Sequence, residues 1–190
     1  ISAGGGVVVS GLALGIDEAA HNGALEGAAH FKNHPGIAVI GAGLDQITPF
    51  KNHRLKNEIL AGGGAVVSEY GMACHPTRFT FPQRNRIISG LTEGVIVVEA
   101  KERSGALITA RTAIEQGREL YVIPGSPHSP VSLGSNRLMR DGAVPIVELN
   151  DLEDHFEWLA RNTPRTKRGK KQAHEAEGEA AQLPIDPLER

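Results

Sequence analysis

Short, wholly apolar runs alternate along this chain with longer stretches of helical spacing. The apolar runs predict strands over 7–10, 37–40, 65–68, 95–98, 120–123 and 145–147. The intervening patterns predict helices over 16–29, 52–61, 81–91, 106–116, 134–140 and 152–159. Strands that are apolar throughout, instead of alternating with polar residues, are buried on both faces. With helices between them, they imply an α/β fold: a Rossmann-like, doubly wound, mostly parallel sheet with helices on both faces. Ligands of such sheets bind outside the carboxyl ends of the strands. The strands here end in small or polar residues suited to that edge: Ser10-Gly11, Gly41-Ala42-Gly43, Ser68-Glu69, Glu99-Ala100 and Pro124-Gly125-Ser126.

One element stands out against this regular background. Residues 77–91 place Arg78, Arg84 and Arg86 beside Phe79 and Phe81, just ahead of an apolar run. Pro82 suits a first helical turn, because its fixed backbone angle and missing amide hydrogen cost nothing there. On a helix starting near Pro82, Arg84, Ile87, Ile88 and Leu91 share one stripe, while Arg86 faces almost the opposite way. Arg84 is thus expected on the buried side, at the crevice, where a guanidinium needs a partner.

Composition narrows the choices. A chain of 190 residues with 40% apolar content is long enough for one domain with a core and a tail. Only 4% of residues are aromatic and 23 are glycine, so the core is expected to be aliphatic and closely packed. A net charge of −2 leaves any nucleic-acid binding to a local patch. Such a patch is present: between His75 and Arg111, six basic residues (Arg78, Arg84, Arg86, Lys101, Arg103, Arg111) face three acidic ones, a net +3. Arginine beside phenylalanine supplies charge for phosphate and a ring for bases, as single-stranded nucleic acid requires. A salt-bridged surface is the competing reading. The single Cys74 excludes an internal disulfide and points to a reducing, cytoplasmic location. No apolar run reaches membrane-spanning length.

Two serine-glycine turns join a strand to a helix: Ser10-Gly11-Leu12-Ala13-Leu14-Gly15 and Ser104-Gly105. Free amides at a helix start attract anions, so both are candidate phosphate cradles. An ordinary glycine-packed turn and a plain serine cap are the alternatives. Gly41-Ala42-Gly43 begins like a dinucleotide fingerprint but lacks its third glycine. His21, His30 and His34 cluster without a cysteine or carboxylate to complete a metal site, so no metal is expected. No nucleophile elbow and no framed pair of carboxylates suggests catalysis. Beyond Arg161, a basic run followed by an acidic, alanine-rich one reads as a charged linker over 161–190, after a domain over 1–160.

Taken in order, these motifs resemble the DprA/Smf family, the DNA-processing proteins of bacterial natural transformation. The matching residues are Ser10-Gly11-Leu12-Ala13 with Gly15-Ile16-Asp17 and His21; Phe81-Pro82 with Arg84-Asn85-Arg86-Ile87-Ile88 and Gly90-Leu91; Ser104-Gly105 with Leu107-Ile108-Thr109-Ala110; and Pro124-Gly125 followed by Gly134, Asn136, Leu138 and Asp141-Gly142-Ala143. The resemblance implies binding of single-stranded DNA without strong sequence preference. It also implies homodimerisation, handover of the strand to a RecA-type recombinase, no cofactor and no catalysis. It places Arg78 and Phe81 at the DNA and both serine-glycine turns in the same pocket. The DNA-binding candidates are therefore Ser10, Gly11, Arg78, Phe81, Arg84, Asn85, Arg86, Lys101, Ser104 and Gly105. Leu14 departs from the family, which carries an arginine in that turn, and the loss of that phosphate contact must lower affinity or be met by other residues. The family's first strand would precede Ile1, and its winged-helix-like domain would begin near Leu188. The competing enzyme reading, a nucleotide phosphoribohydrolase on a related fold, needs a Pro-Gly-Gly-x-Gly-Thr-x-x-Glu pattern that Pro124-Gly125-Ser126-Pro127 does not continue. A third reading, a protein-interaction scaffold with Arg86 and Ile88 at a dimer contact, is compatible with the first.

Overall fold

The computed structural model describes residues 1–31, 34–46 and 49–162. Among these residues six strands alternate with α-helices, and two further helices close the order: β1 (Val9–Ser10), α1 (Ile16–Phe31), β2 (Ile37–Val39), α2 (His53–Ala61), β3 (Ala65–Val67), α3 (Thr80–Gly90), β4 (Gly94–Val97), α4 (Gly105–Glu115), β5 (Glu119–Val122), α5 (Leu133–Arg140), β6 (Val144–Pro145), α6 (Leu149–His155) and α7 (Glu157–Asn162). All strand pairs are parallel. The hydrogen-bonded order is β1-β2-β3 in one sheet and β4-β5-β6 in the other, so the ladder has two halves. The α/β, Rossmann-like expectation holds.

Side-chain direction alternates along the strands of the second half-sheet, and each parity feeds a different layer. Val97, Leu120 and Val122 pack with Ala110 of α4 and with Leu138 and Met139 of α5. Tyr121, with Ile96 and Ile123, packs instead with Leu152, Phe156 and Leu159 of the carboxyl-terminal helices. The second half-sheet is therefore covered on both faces, which is why its strands read as continuously apolar. Tyr121 is almost wholly buried, and its ring lies 5.4 Å from His155 and 5.6 Å from Phe156. Burial of one such side chain contributes about 2 kcal/mol. In the first half-sheet, Leu12, Ala38 and Ile40 meet Leu55 and Ile59 of α2.

Three local expectations change. The helix expected over 152–159 is two helices, because Phe156 leaves the helical region with φ −117° and ψ 89°. The helix expected to begin near Pro82 starts at Thr80. Thr77 and Thr80 hold its entry: each hydroxyl accepts from the other residue's backbone N–H, at 3.0 and 3.2 Å. Pro82 still falls in the first turn, where the helix has no use for its amide. Only Val9 and Ser10 of the expected first strand join the ladder. Of the linker expected over 161–190, residues 161–162 close α7 and the remainder lies outside the described residues.

Helices α3 and α4 lie side by side and run the same way. At their carboxyl ends, Ser89 Oγ donates to Gln116 Oε1 at 2.7 Å, Gln116 Nε2 donates to the Arg86 carbonyl at 3.0 Å, and Arg118 Nη2 donates to the Gly90 carbonyl at 2.9 Å. Each helix leads into a parallel strand, so both amino ends lie at the carboxyl edge of the sheet, where the topology places a ligand.

Candidate nucleic-acid interface

The Ser10-Gly11 turn is closed by its own side chains. Asp17, in the first turn of α1, reaches back so that Oδ2 accepts from the amides of Gly11 at 3.1 Å and Ala13 at 3.2 Å. The two amides expected to cradle a phosphate thus hold an internal carboxylate. On the other side lies Arg84, 5% exposed, whose Nη1 donates to the carbonyls of Gly11 at 2.9 Å and Val39. Its Nε donates to Asn85 Oδ1 at 3.2 Å. A Cβ at Gly11 would lie 2.7 Å from Arg84 Nη2 and 2.8 Å from Asp17 Oδ2, so only glycine fits between them. Burial pulls the Arg84 pKa down and Asp17 opposes that shift. A guanidinium nevertheless keeps its charge in proteins. Arg84 is therefore a buried bolt across the ends of β1 and β2, as its stripe predicted, with its donors directed inward.

The same turn stores strain. Leu12 has φ +57°, the left-handed region, while its side chain is fully buried. Asn52 Nδ2 secures it by donating to the carbonyls of Leu12 at 2.9 Å and Ala13 at 3.2 Å. A non-glycine residue held there costs about 1 kcal/mol or more, sustained by the surrounding contacts. His21, fully buried beside this turn, makes no hydrogen bond of ordinary geometry from either ring nitrogen among the described residues, although the Ser10 backbone lies near its ring. Burial lowers its pKa, and Asp17 and the Ser10 backbone only partly offset this. Leu14, at the position of the family's arginine, is 54% exposed.

The Ser104 turn is open. Ser104 caps α4, its Oγ accepting from the Ala106 amide at 3.2 Å. A Cβ built on Gly105 would meet nothing within 4 Å. Glu102, at the edge of the turn, pairs with Arg137 at 2.6 Å. A shallow recess of about 450 Å³ lies elsewhere, by Pro35 and Gly62; the recess at this turn is about 360 Å³ and is lined by Glu102, Arg103, Ser104, Gly105, Leu107, Ile108 and Arg111. Lys101 and Arg103 are exposed, and neither forms an ion pair among the described residues. The loop that carries them is anchored by α5, whose Gly134 and Ser135 amides donate to the Ala100 carbonyl at 2.8 and 3.2 Å.

At the start of α3 the two phenylalanines part company. Phe81 is half-buried, with Cδ1 3.1 Å from where a Gly41 Cβ would sit. Phe79 is 61% exposed, and the Arg78 guanidinium lies over its ring, 4.7 Å from the centroid. Arg78 is exposed and has no ion pair among the described residues. Arg86 points away from the buried stripe and pairs with Glu69. The structure therefore sorts the sequence candidates into three groups. Arg78, just before α3, and Lys101, Ser104 and Gly105, at the start of α4, are the open ones, and Phe81 is half-buried against Gly41. Gly11 and Arg84 form the closed turn, with Ser10 entering it and Asn85 bracing the guanidinium. Arg86 lies in a surface ion pair. Sequence reasoning missed Asp17 as the residue that fills the first turn, and Phe79 as the outward ring. Asp17 stands six residues after Gly11 at a helix start, and that spacing was the available signal. No group of three or more potential metal ligands lies together among the described residues, and no described helix is long and apolar enough to cross a membrane.

Comparison with known proteins adds an independent observation. The sequence profile of the DNA recombination-mediator protein A family matches residues 1–157. The chain is similar to Protein Smf of Escherichia coli K12, 46% identical over 159 residues, covering 82% of this chain and 41% of that one. It is also similar to the DNA processing protein DprA of Streptococcus pneumoniae, 47% identical over 152 residues, covering 80% and 52%. The chain thus spans about half the length of these curated relatives. The X-ray structure of DprA from Streptococcus pneumoniae superposes with a TM-score of 0.70 at 44% identity, over 82% of this chain and 53% of that one. A structure of DprA from Helicobacter pylori, which concerns that protein's single-stranded DNA binding mode, superposes with a TM-score of 0.68 at 32% identity, over 81% and 67%. With matching motifs, matching fold and a profile that spans most of its length, the chain belongs to the DprA/Smf family.

Proposed function

We propose that this chain binds single-stranded DNA along the open lip formed by the amino ends of α3 and α4. The carrying observation is the set of exposed cations at the two helix starts, Arg78 before α3 and Lys101 and Arg103 before α4, none in an ion pair among the described residues, beside the open Ser104-Gly105 turn. Cations at the surface without carboxylate partners lower the cost of meeting phosphate, because no ion pair must first be broken. The single-stranded DNA binding mode described for the Helicobacter pylori relative supports the same ligand class. On this reading the protein is a binding protein and not an enzyme. It acts in natural transformation, protects incoming single strands as a homodimer, and passes them to a RecA-type recombinase in the cytoplasm.

The closed turn takes an indirect part. Arg84 and Asp17 hold the ends of β1 and β2, against which Phe81 and the entry to α3 pack. The lip is thereby mounted on a rigid edge.

A salt-dependent titration with single- and double-stranded oligonucleotides tests the proposal. Tighter binding of the single strand, weakening steeply with salt, is the expected result. Equal binding or none to both strands removes it, and release of ribose phosphate from a nucleotide would favour the enzyme reading. Sedimentation of the chain alone tests the dimer. Strand-exchange assays with a RecA-type recombinase on protein-coated single strands test the handover.

A further inference from the structure

We propose that single-stranded DNA runs on from the lip across the 10–15 turn to a second cationic station at the start of α2, where Lys51 and Arg54 take phosphates beside the Phe50 ring. This rests on the reading of the lip as a DNA-binding surface and lengthens the track beyond it.

The station is a patch of charge and ring. A single 3-10 turn, Phe50–Asn52, leads directly into α2. Phe50 is 82% exposed, more than any other large hydrophobic side chain among the described residues. Its ring leans on His53, with centroids 4.8 Å apart, which limits its freedom. Lys51 is exposed and forms no ion pair among the described residues. Arg54 lies 3.5 Å from Glu58 one helical turn on, but 85% of its side chain is exposed, and so open a pair holds a guanidinium only weakly.

Continuity with the lip supplies the occupant. The 10–15 turn is gripped from two elements: Arg84 of α3 donates to the Gly11 carbonyl at 2.9 Å, and Asn52, next to Lys51, donates to the carbonyls of Leu12 at 2.9 Å and Ala13 at 3.2 Å. The loops that lead to α2 and α3 are also joined, since the Gly43 amide donates to the Cys74 carbonyl at 2.8 Å and the Asp45 amide to the Met72 carbonyl at 3.2 Å. Both groups of cations are thus mounted on one edge. The turn's outer surface, Ala13, Leu14, Gly15 and Ile16, is exposed and uncharged. Bases can lie on it without stripping water from a charge. Cations spaced along an edge, with a ring among them, suit a strand whose phosphates repeat and whose bases each carry a π-face. An acidic peptide would need the cations alone.

The test compares oligothymidines of about 5 and about 16 nucleotides. The wild-type chain is expected to bind the long strand more tightly. The double variant Lys51→Ala/Arg54→Ala should lose about tenfold on the long strand and nothing on the short one. Its salt slope on the long strand should fall by about 1.4 units, about 0.7 for each phosphate contact, with an unchanged melting temperature. Arg78→Ala, in the lip, should instead lose affinity for both lengths. In Phe50→Trp, the long strand should quench the added indole fluorescence and the short strand should not. Three results overturn the assignment: affinity and slope on the long strand unchanged in the double variant, an equal loss on both lengths, or polyglutamate binding that needs Lys51 and Arg54 while long-strand binding does not. If the wild-type chain binds neither length, the proposed function itself has failed, which is distinct from these three results.

Discussion

Two turns in this molecule begin with the same dipeptide after a strand and lead into a helix, yet their physical states are opposite. At Ser10-Gly11, a carboxylate from Asp17 fills the amides and a buried guanidinium from Arg84 covers the carbonyl. At Ser104-Gly105, nothing stands within 4 Å of the missing side chain and the neighbouring cations face solvent. The first is a structural joint and the second is a surface able to receive a ligand. A glycine in a turn signals close approach, and the approaching group can be internal. Six places downstream of each glycine the charge differs: Asp17 follows Gly11, and Arg111 follows Gly105.

The contrast can be broken most forcefully at Arg84. Arg84→Met leaves the Gly11 and Val39 carbonyls without their buried donor and Asp17 without its positive neighbour. A loss of about 3 kcal/mol or more is expected, read as a fall in the urea midpoint. Gly11→Ala should cost about 1–3 kcal/mol, because its Cβ would collide with both Arg84 and Asp17. The same change at Gly105 should move stability by about 0.5 kcal/mol, towards greater stability, because the added methyl meets nothing and the unfolded chain loses freedom. Opposite signs for one chemical change at two like turns would sharpen the comparison; equal signs would break it.

Acid should act on the closed side. Burial holds the His21 pKa below its ordinary 6.5, so on acidification the unfolded chain takes up this proton before the folded one does. Its contribution to stability is complete above about pH 6.5 and is lost as the pH falls towards the folded value. Urea midpoints measured from pH 8 to pH 5 should fall in the wild type and fall less in His21→Gln.

The smallest structural effect belongs to the open side. Arg78→Ala should change stability by no more than about 0.5 kcal/mol, since the residue is exposed and makes no ion pair among the described residues. It should nonetheless weaken single-strand binding and lower the salt slope by about one unit. An unchanged slope and affinity would remove Arg78 from the lip.

Much of this was legible in the residues themselves. Runs such as Leu120-Tyr121-Val122-Ile123 announce a strand covered on both faces, and the structure supplies a helix layer for each parity. The spacing of Arg84, Ile87 and Ile88 places the arginine on the buried side, where it lies. These features depend on local period and on the cost of leaving apolar surface or a guanidinium unpartnered, so they follow from neighbours within a few residues. The sequence could not show which candidate contacts are already taken. Whether Phe79 or Phe81 faces solvent turns on a helix that starts at Thr80 instead of Pro82. Phe79 is then the residue just before the helix and Phe81 lies in its first turn. Whether Gly11 is free turns on Asp17 and on Arg84, which stands 73 residues further along the chain. Local chemistry determined the elements and the edge at which a ligand is expected. Only the tertiary structure decided which polar groups satisfy one another and which remain for a ligand, because hydrogen-bond satisfaction in a folded chain is settled by contacts between distant segments.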